Sequence, residues 1–171
     1  MTEQVKDVIG LVFRLVLAGV IGYAGLIKVF EPDGAKLAIM AFRLVPVGWT
    51  DFLGWALPAA EILAAVLLLL GLFTRWAALF TGLLMVAFVF GIASVWVRGY
   101  SIDCGCFGGG GDISPEGRNL RYTIDIVRDL ALEGMSLWLV VRPRSLWSLE
   151  REPMTDDDLA DVYAEDSERQ V

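Results

Sequence analysis

The chain has 171 residues, 56% of them hydrophobic, with a mean hydropathy of +0.61. Soluble domains stay near half apolar with their hydrophobic residues spread periodically, so this composition excludes an ordinary soluble globular domain. The net charge of −7 sits in residues 150–171, where nine acids meet only Arg151 and Arg169; the rest of the chain is balanced, which excludes a basic nucleic-acid surface.

The hydrophobic residues fall in four blocks, 8–30, 52–73, 76–97 and 120–141. Each is about 20 residues, enough to cross ~30 Å of hydrocarbon as a helix. They predict an all-α fold: an integral membrane four-helix bundle with a short interfacial helix. One membrane domain then covers 1–149, and 150–171 is an acidic, disordered tail. Four helices of a soluble bundle would each need a polar face, and 63–72 and 79–92 offer none. The first block reads as a retained span, because Lys6 is a weak n-region, Arg14 interrupts the apolar run and no small-x-small cleavage site follows. In the connection 31–51, residues 35–44 are amphipathic and stop before Pro46. That suits a helix lying in the interface, with Trp49 and Trp55 at headgroup depth, the alternative being an ordinary loop. The link Thr74-Arg75 is too short for anything but antiparallel neighbours. In the longer connection 98–119, Gly108–Gly111 predict a flexible loop, and Ser114-Pro115-Glu116 marks the start of the fourth span.

Charges at bilayer depth are costly. The first span carries Arg14 and Lys28, about four turns apart and so near one face, with Ala18, Gly22 and Gly25 close to that stripe. The second span opens with Pro58 and Glu61. The fourth gathers Asp125, Arg128, Asp129 and Glu133 on one stripe. Two bases thus face several acids across the bundle interior. One reading is that Arg14, Lys28, Glu61, Asp125, Arg128 and Asp129 only fix helix register. The other is that Glu61, Asp125 or Asp129 relays protons, since the chain has no histidine for that work.

Cys104 and Cys106 are the chain's two cysteines, separated by Gly105 in the loop before the fourth span. An i, i+2 disulfide is strained, and strained, exposed disulfides are the exchangeable ones. Gly105 permits the turn such a ring needs. The spacing therefore favours Cys104 and Cys106 as a catalytic pair over a structural staple, with an inert pair of small loop residues as the alternative. Arg98, Arg118 and Arg121 favour a thiolate, and Asp103 opposes them. No metal is expected: zinc wants four Cys or His ligands, and two cysteines without a histidine do not supply them.

Taken together, the four spans, Lys28 closing the first after a glycine-rich run, Pro58 and Glu61 opening a leucine-rich second span that ends in Gly71-Leu72, the string Cys104-Gly105-Cys106-Phe107-Gly108 and the pair Arg128-Asp129 resemble the MauE branch of the DoxX-like integral membrane protein family. The resemblance covers about residues 8–142. It implies extracytoplasmic thiol–disulfide exchange with a thioredoxin-fold partner through the redox-active pair, in a setting like methylamine utilisation. The expected function is thus that of a membrane thiol–disulfide oxidoreductase or the redox partner of one; the alternative is a non-catalytic assembly or scaffold subunit of an oxidoreductase system. Basic residues tie at five against six between the two sides, so the positive-inside rule does not orient the bundle. A functional disulfide persists outside the reducing cytosol, which places the loop on the outer face of a bacterial cytoplasmic membrane and both termini inside. With one cysteine pair, electrons need a further carrier. That carrier is another protein or a lipid-soluble acceptor; a quinone, the lesser alternative, would sit near Trp96, Tyr100, Arg121 and Tyr122, whose aromatic rings read first as an interfacial belt.

Overall fold

The computed structural model describes residues 3–106 and 109–143. The expected tail at 150–171 and the residues Phe107 and Gly108 lie outside the described residues. Five helices follow in order: α1 (Glu3–Phe30), α2 (Pro32–Phe42), α3 (Thr50–Leu70), α4 (Thr74–Val97) and α5 (Arg118–Val141). A two-residue ladder, β1 (Ile102–Asp103) with β2 (Gly111–Asp112), pairs antiparallel in the α4–α5 connection.

The four long helices are the predicted bundle. Three segments, Gln4–Phe30, Val47–Leu70 and Thr74–Val97, are long and apolar enough to cross a membrane, with mean hydropathies of 2.0, 2.1 and 2.3. α5 matches them in length at 24 residues but carries charge along one stripe. That stripe turns inward: Asp129 is buried, while Leu120, Ile124, Val127, Leu130 and Leu137 are all exposed on the outer face. An apolar outside around a charged inside is the arrangement hydrocarbon selects.

α1 packs mainly against α3, and α4 against α5. Small residues set the first of these contacts. A Cβ on Gly25 would lie 2.9 Å from Ile62 and 3.2 Å from the Pro58 carbonyl oxygen, so only glycine allows this approach. In the second, Ser136 Oγ donates to the Ala78 carbonyl oxygen at 2.5 Å, satisfying a polar group that lipid would leave unpaired. The central core joins Leu17, Ile21, Leu68, Ala78, Leu132 and Leu139. A second cluster, Ile92, Val95, Ile102 and Tyr122, lies under the α4–α5 connection.

The interfacial helix is α2. Pro32 starts it, with the fixed φ suited to a first turn, and Arg43 ends it in the left-handed region at φ 53°. A 3₁₀ turn, Val47–Trp49, then feeds α3, and Trp49 and Trp55 are exposed as a headgroup position requires. The second span stops at Leu70, short of the expected 73, because Gly71 takes a left-handed cap at φ 67°.

Candidate thiol site

The site is built on a platform. The segment 102–112 folds back on itself through the β1–β2 ladder, which the Ile113 N–H extends by donating to the Ser101 carbonyl oxygen at 2.8 Å. Tyr122 anchors it from α5: its hydroxyl accepts from the Ile102 N–H at 2.8 Å and lies within 3.2 Å of the Tyr100 carbonyl oxygen. Arg118 donates to the Gly99 carbonyl oxygen at 2.8 Å, and Arg98 to that of Phe42 at 2.6 Å. Arg43 and Arg98 both stack on the Tyr100 ring.

The glycines of this loop serve contact more than looseness. Gly105 has φ 65°, and a Cβ there would come within 2.3 Å of the Ala38 Cβ on α2. Gly110 lies equally close to α2, where a Cβ would meet the Gly34 carbonyl oxygen at 2.6 Å and the Ala38 nitrogen at 2.8 Å. At Gly109 and Gly110 the backbone of the glycine run is thus laid directly on α2. Asp103 sits inside the turn. Its Oδ1 accepts from the Gly105 N–H at 2.9 Å, and Arg121 approaches Oδ2 at 3.8 Å.

This folding gives the two sulfurs different surroundings. Both cysteines are free thiols; Cys104 is half-buried and Cys106 is buried. Cys106 Sγ lies 4.0 Å from the Cys104 carbonyl oxygen. A hydrogen bond between the thiols holds Cys104 below the usual thiol range, against the opposing effect of burial. The same bond, with burial and the nearby Cys104 and Asp129 charges, pushes Cys106 well above it.

Beneath Cys106 a cavity of about 20 Å³ is lined by Cys106, Lys28, Glu61, Phe88, Arg128 and Asp129, among others. That is room for about one water molecule. Lys28 Nζ and Glu61 Oε1 form a buried ion pair at 2.5 Å. Arg128 bonds Asp129 Oδ1 at 2.8 Å and Asp125 Oδ1 at 3.1 Å. Glu61 Oε2 and Asp129 Oδ2 are buried without a hydrogen-bond partner among the described residues.

Of the residues singled out in the sequence, Cys104, Cys106, Lys28, Glu61, Asp125, Arg128 and Asp129 thus converge. Arg14 does not join them. It is buried near the middle of α1, about four turns from Lys28, where the neighbouring Phe13 ring meets Trp138, about two and a half turns along α5 from Asp129. Trp96, Tyr100, Arg121 and Tyr122 serve as the footing of the loop: Trp96 Nε1 donates to Asn119 Oδ1 at 3.1 Å and its ring meets Tyr122 edge-on. Sequence reasoning missed α2 as the platform. The usable sign was Gly34, Ala35 and Ala38, small residues one helical turn apart facing a glycine-rich loop.

An integral membrane four-helix bundle that carries paired thiols over a buried charge cluster is the class these features define. Within that class, a family model described as "Methylamine utilisation protein MauE" matches residues 6–142, and the chain belongs to that family. It is a membrane protein of a family named for methylamine utilisation. No curated protein and no solved structure is detectably similar to it.

Proposed function

We propose that the protein exchanges disulfides with a thioredoxin-fold partner at the outer face of the membrane, through Cys104 and Cys106. The observation that carries this reading is the unequal placing of the pair: Cys104 is half-buried beside the α2–α3–α4 cavity, while Cys106 is buried over Lys28, Glu61 and Asp129. Exchange needs one sulfur that a partner can reach and a second held ready behind it.

In the oxidising direction, a partner thiolate attacks Cys104 Sγ of the Cys104–Cys106 disulfide. The bond between the two cysteines breaks, and Cys106 leaves with the electron pair and takes a proton. The partner's second thiolate then attacks its own sulfur in the mixed disulfide and releases Cys104, whose low pKa makes it the better leaving group. The reducing direction is the reverse. Cys106, as a poor leaving group, needs a proton at hand, and it shares its cavity with the unpartnered oxygens of Glu61 and Asp129.

The second reading, a scaffold subunit without thiol chemistry, rests on the buried Lys28–Glu61 pair, which ties α1 to α3, and on the Arg128–Asp129 pair within α5. Trapping separates the two. In cells, Cys106→Ala is expected to accumulate a disulfide between Cys104 and a thioredoxin-fold protein, and Cys104→Ala to accumulate far less. If neither variant traps a partner and both keep wild-type function, the scaffold reading replaces the exchange mechanism.

A further inference from the structure

A larger cavity opens on the other side of Lys28. It holds about 210 Å³ between α2, α3 and α4, and its lining includes Ala38, Phe42, Leu57, Ala87, Phe88 and, as the polar groups, Lys28 and Cys104. Leu44 and Ala87 at its margin are exposed, so it opens onto the outside of the bundle between apolar helices. The two cavities share Lys28, Leu84 and Phe88, so Cys104 borders the apolar one and Cys106 the charged one, with the lysine between them.

We infer that this apolar cavity binds the single-ring headgroup of a membrane quinone, which takes the electrons of the Cys104–Cys106 pair. The inference rests on the exchange reading above and adds its electron acceptor and direction. An apolar cavity of about 150 Å³ accommodates a benzene ring, so about 210 Å³ suits one substituted ring with its tail in the lipid. The lining excludes polar carriers, and a chain with no histidine and only one cysteine pair has no second internal relay to pass electrons on. What remains is an acceptor that dissolves in hydrocarbon and takes two electrons with two protons. The step balances: both S–H bonds break, the Cys104–Cys106 bond forms, the electron pair enters the ring, and each ring oxygen gains a proton to give the quinol. The Lys28 ammonium is placed to counter negative charge growing on a ring oxygen. The site lies beneath the loop, on the α2–α3–α4 side, and not at the Trp96–Tyr122 footing where the sequence had suggested one.

The test uses the reduced full-length protein in lipid nanodiscs under anaerobic conditions, with decyl-ubiquinone as the probe. The expected result is one quinol formed for each pair of protein thiols lost. Ala87→Phe, which fills the cavity's opening, should raise the KM for decyl-ubiquinone by about tenfold or more. Leu69→Phe, exposed on α3 outside the cavity, should leave it unchanged. Wild-type thiols that stay reduced in the presence of the quinone overturn the inference, and so does an unchanged KM in Ala87→Phe. Exchange with a reduced thioredoxin-fold protein, started from the oxidised pair without quinone, is measured separately. Exchange without quinone reduction removes this site alone; quinone reduction without exchange keeps the site and removes the partner reading.

Discussion

Cys104 and Cys106 differ in sequence only by the neighbouring Asp103, yet the fold makes them unlike. Asp103 turns out to spend its charge on the Gly105 N–H and Arg121, shaping the turn. The difference between the sulfurs comes instead from which way each faces: Cys104 toward the apolar cavity, Cys106 down onto Lys28, Glu61 and Asp129. Facing is set by the loop's contact with α2, so no local pattern in the sequence reveals it. The consequence is measurable. The thiolate is the reactive form, and a lowered pKa means more thiolate at a given pH. Alkylation of Cys104 by N-ethylmaleimide should therefore rise with pH through a midpoint below the ordinary ~8.5. Cys106→Ala removes the thiol that hydrogen-bonds Cys104, so the midpoint should move up. A midpoint that stays put in Cys106→Ala would mean that the bond between the thiols does not set Cys104's reactivity.

Among the elements, α2 and the cysteine loop act as one unit. The four long helices were legible from block length alone, with the second ending at Leu70 where Gly71 caps it. The platform was not legible, because a small residue in an amphipathic helix looks the same whether it faces lipid, core or another backbone. Gly105 tests the unit. Alanine there meets both a φ of 65° and an approach of 2.3 Å to Ala38. Strain of this kind costs about 1–3 kcal/mol. Gly105→Ala should lower the thermal midpoint in detergent and speed alkylation of Cys106 as the loop lifts from α2. Adding Ala38→Gly removes the opposing methyl and should recover part of Cys106's protection. If Cys106 stays as protected in Gly105→Ala as in the wild type, the loop is not held by this contact.

At the scale of the whole molecule, the sequence placed opposite charges inside the bundle, and the Lys28–Glu61 pair is where it expected one. Breaking such a pair leaves an orphan charge at a cost of several kcal/mol, so its retention beneath a thiol pair ties the stability of α1 and α3 to the site. The same burial bears on orientation. The six bases of the loop side are Lys28, Lys36, Arg43, Arg98, Arg118 and Arg121; Lys28, as a buried pair member, offers nothing to a membrane surface, which leaves five bases on each side. Charge therefore gives no preference. The proposed exchange puts the loop on the outer face, where a disulfide outlasts glutathione, and both termini inside. A membrane-impermeant maleimide added to intact cells after mild reduction should modify Cys104, the more accessible sulfur, and Cys104→Ala should abolish most of the label. Label that enters only after permeabilisation would put the loop in the cytosol, where the glutathione pool would hold the pair reduced and the protein would have to act on cytosolic disulfides instead.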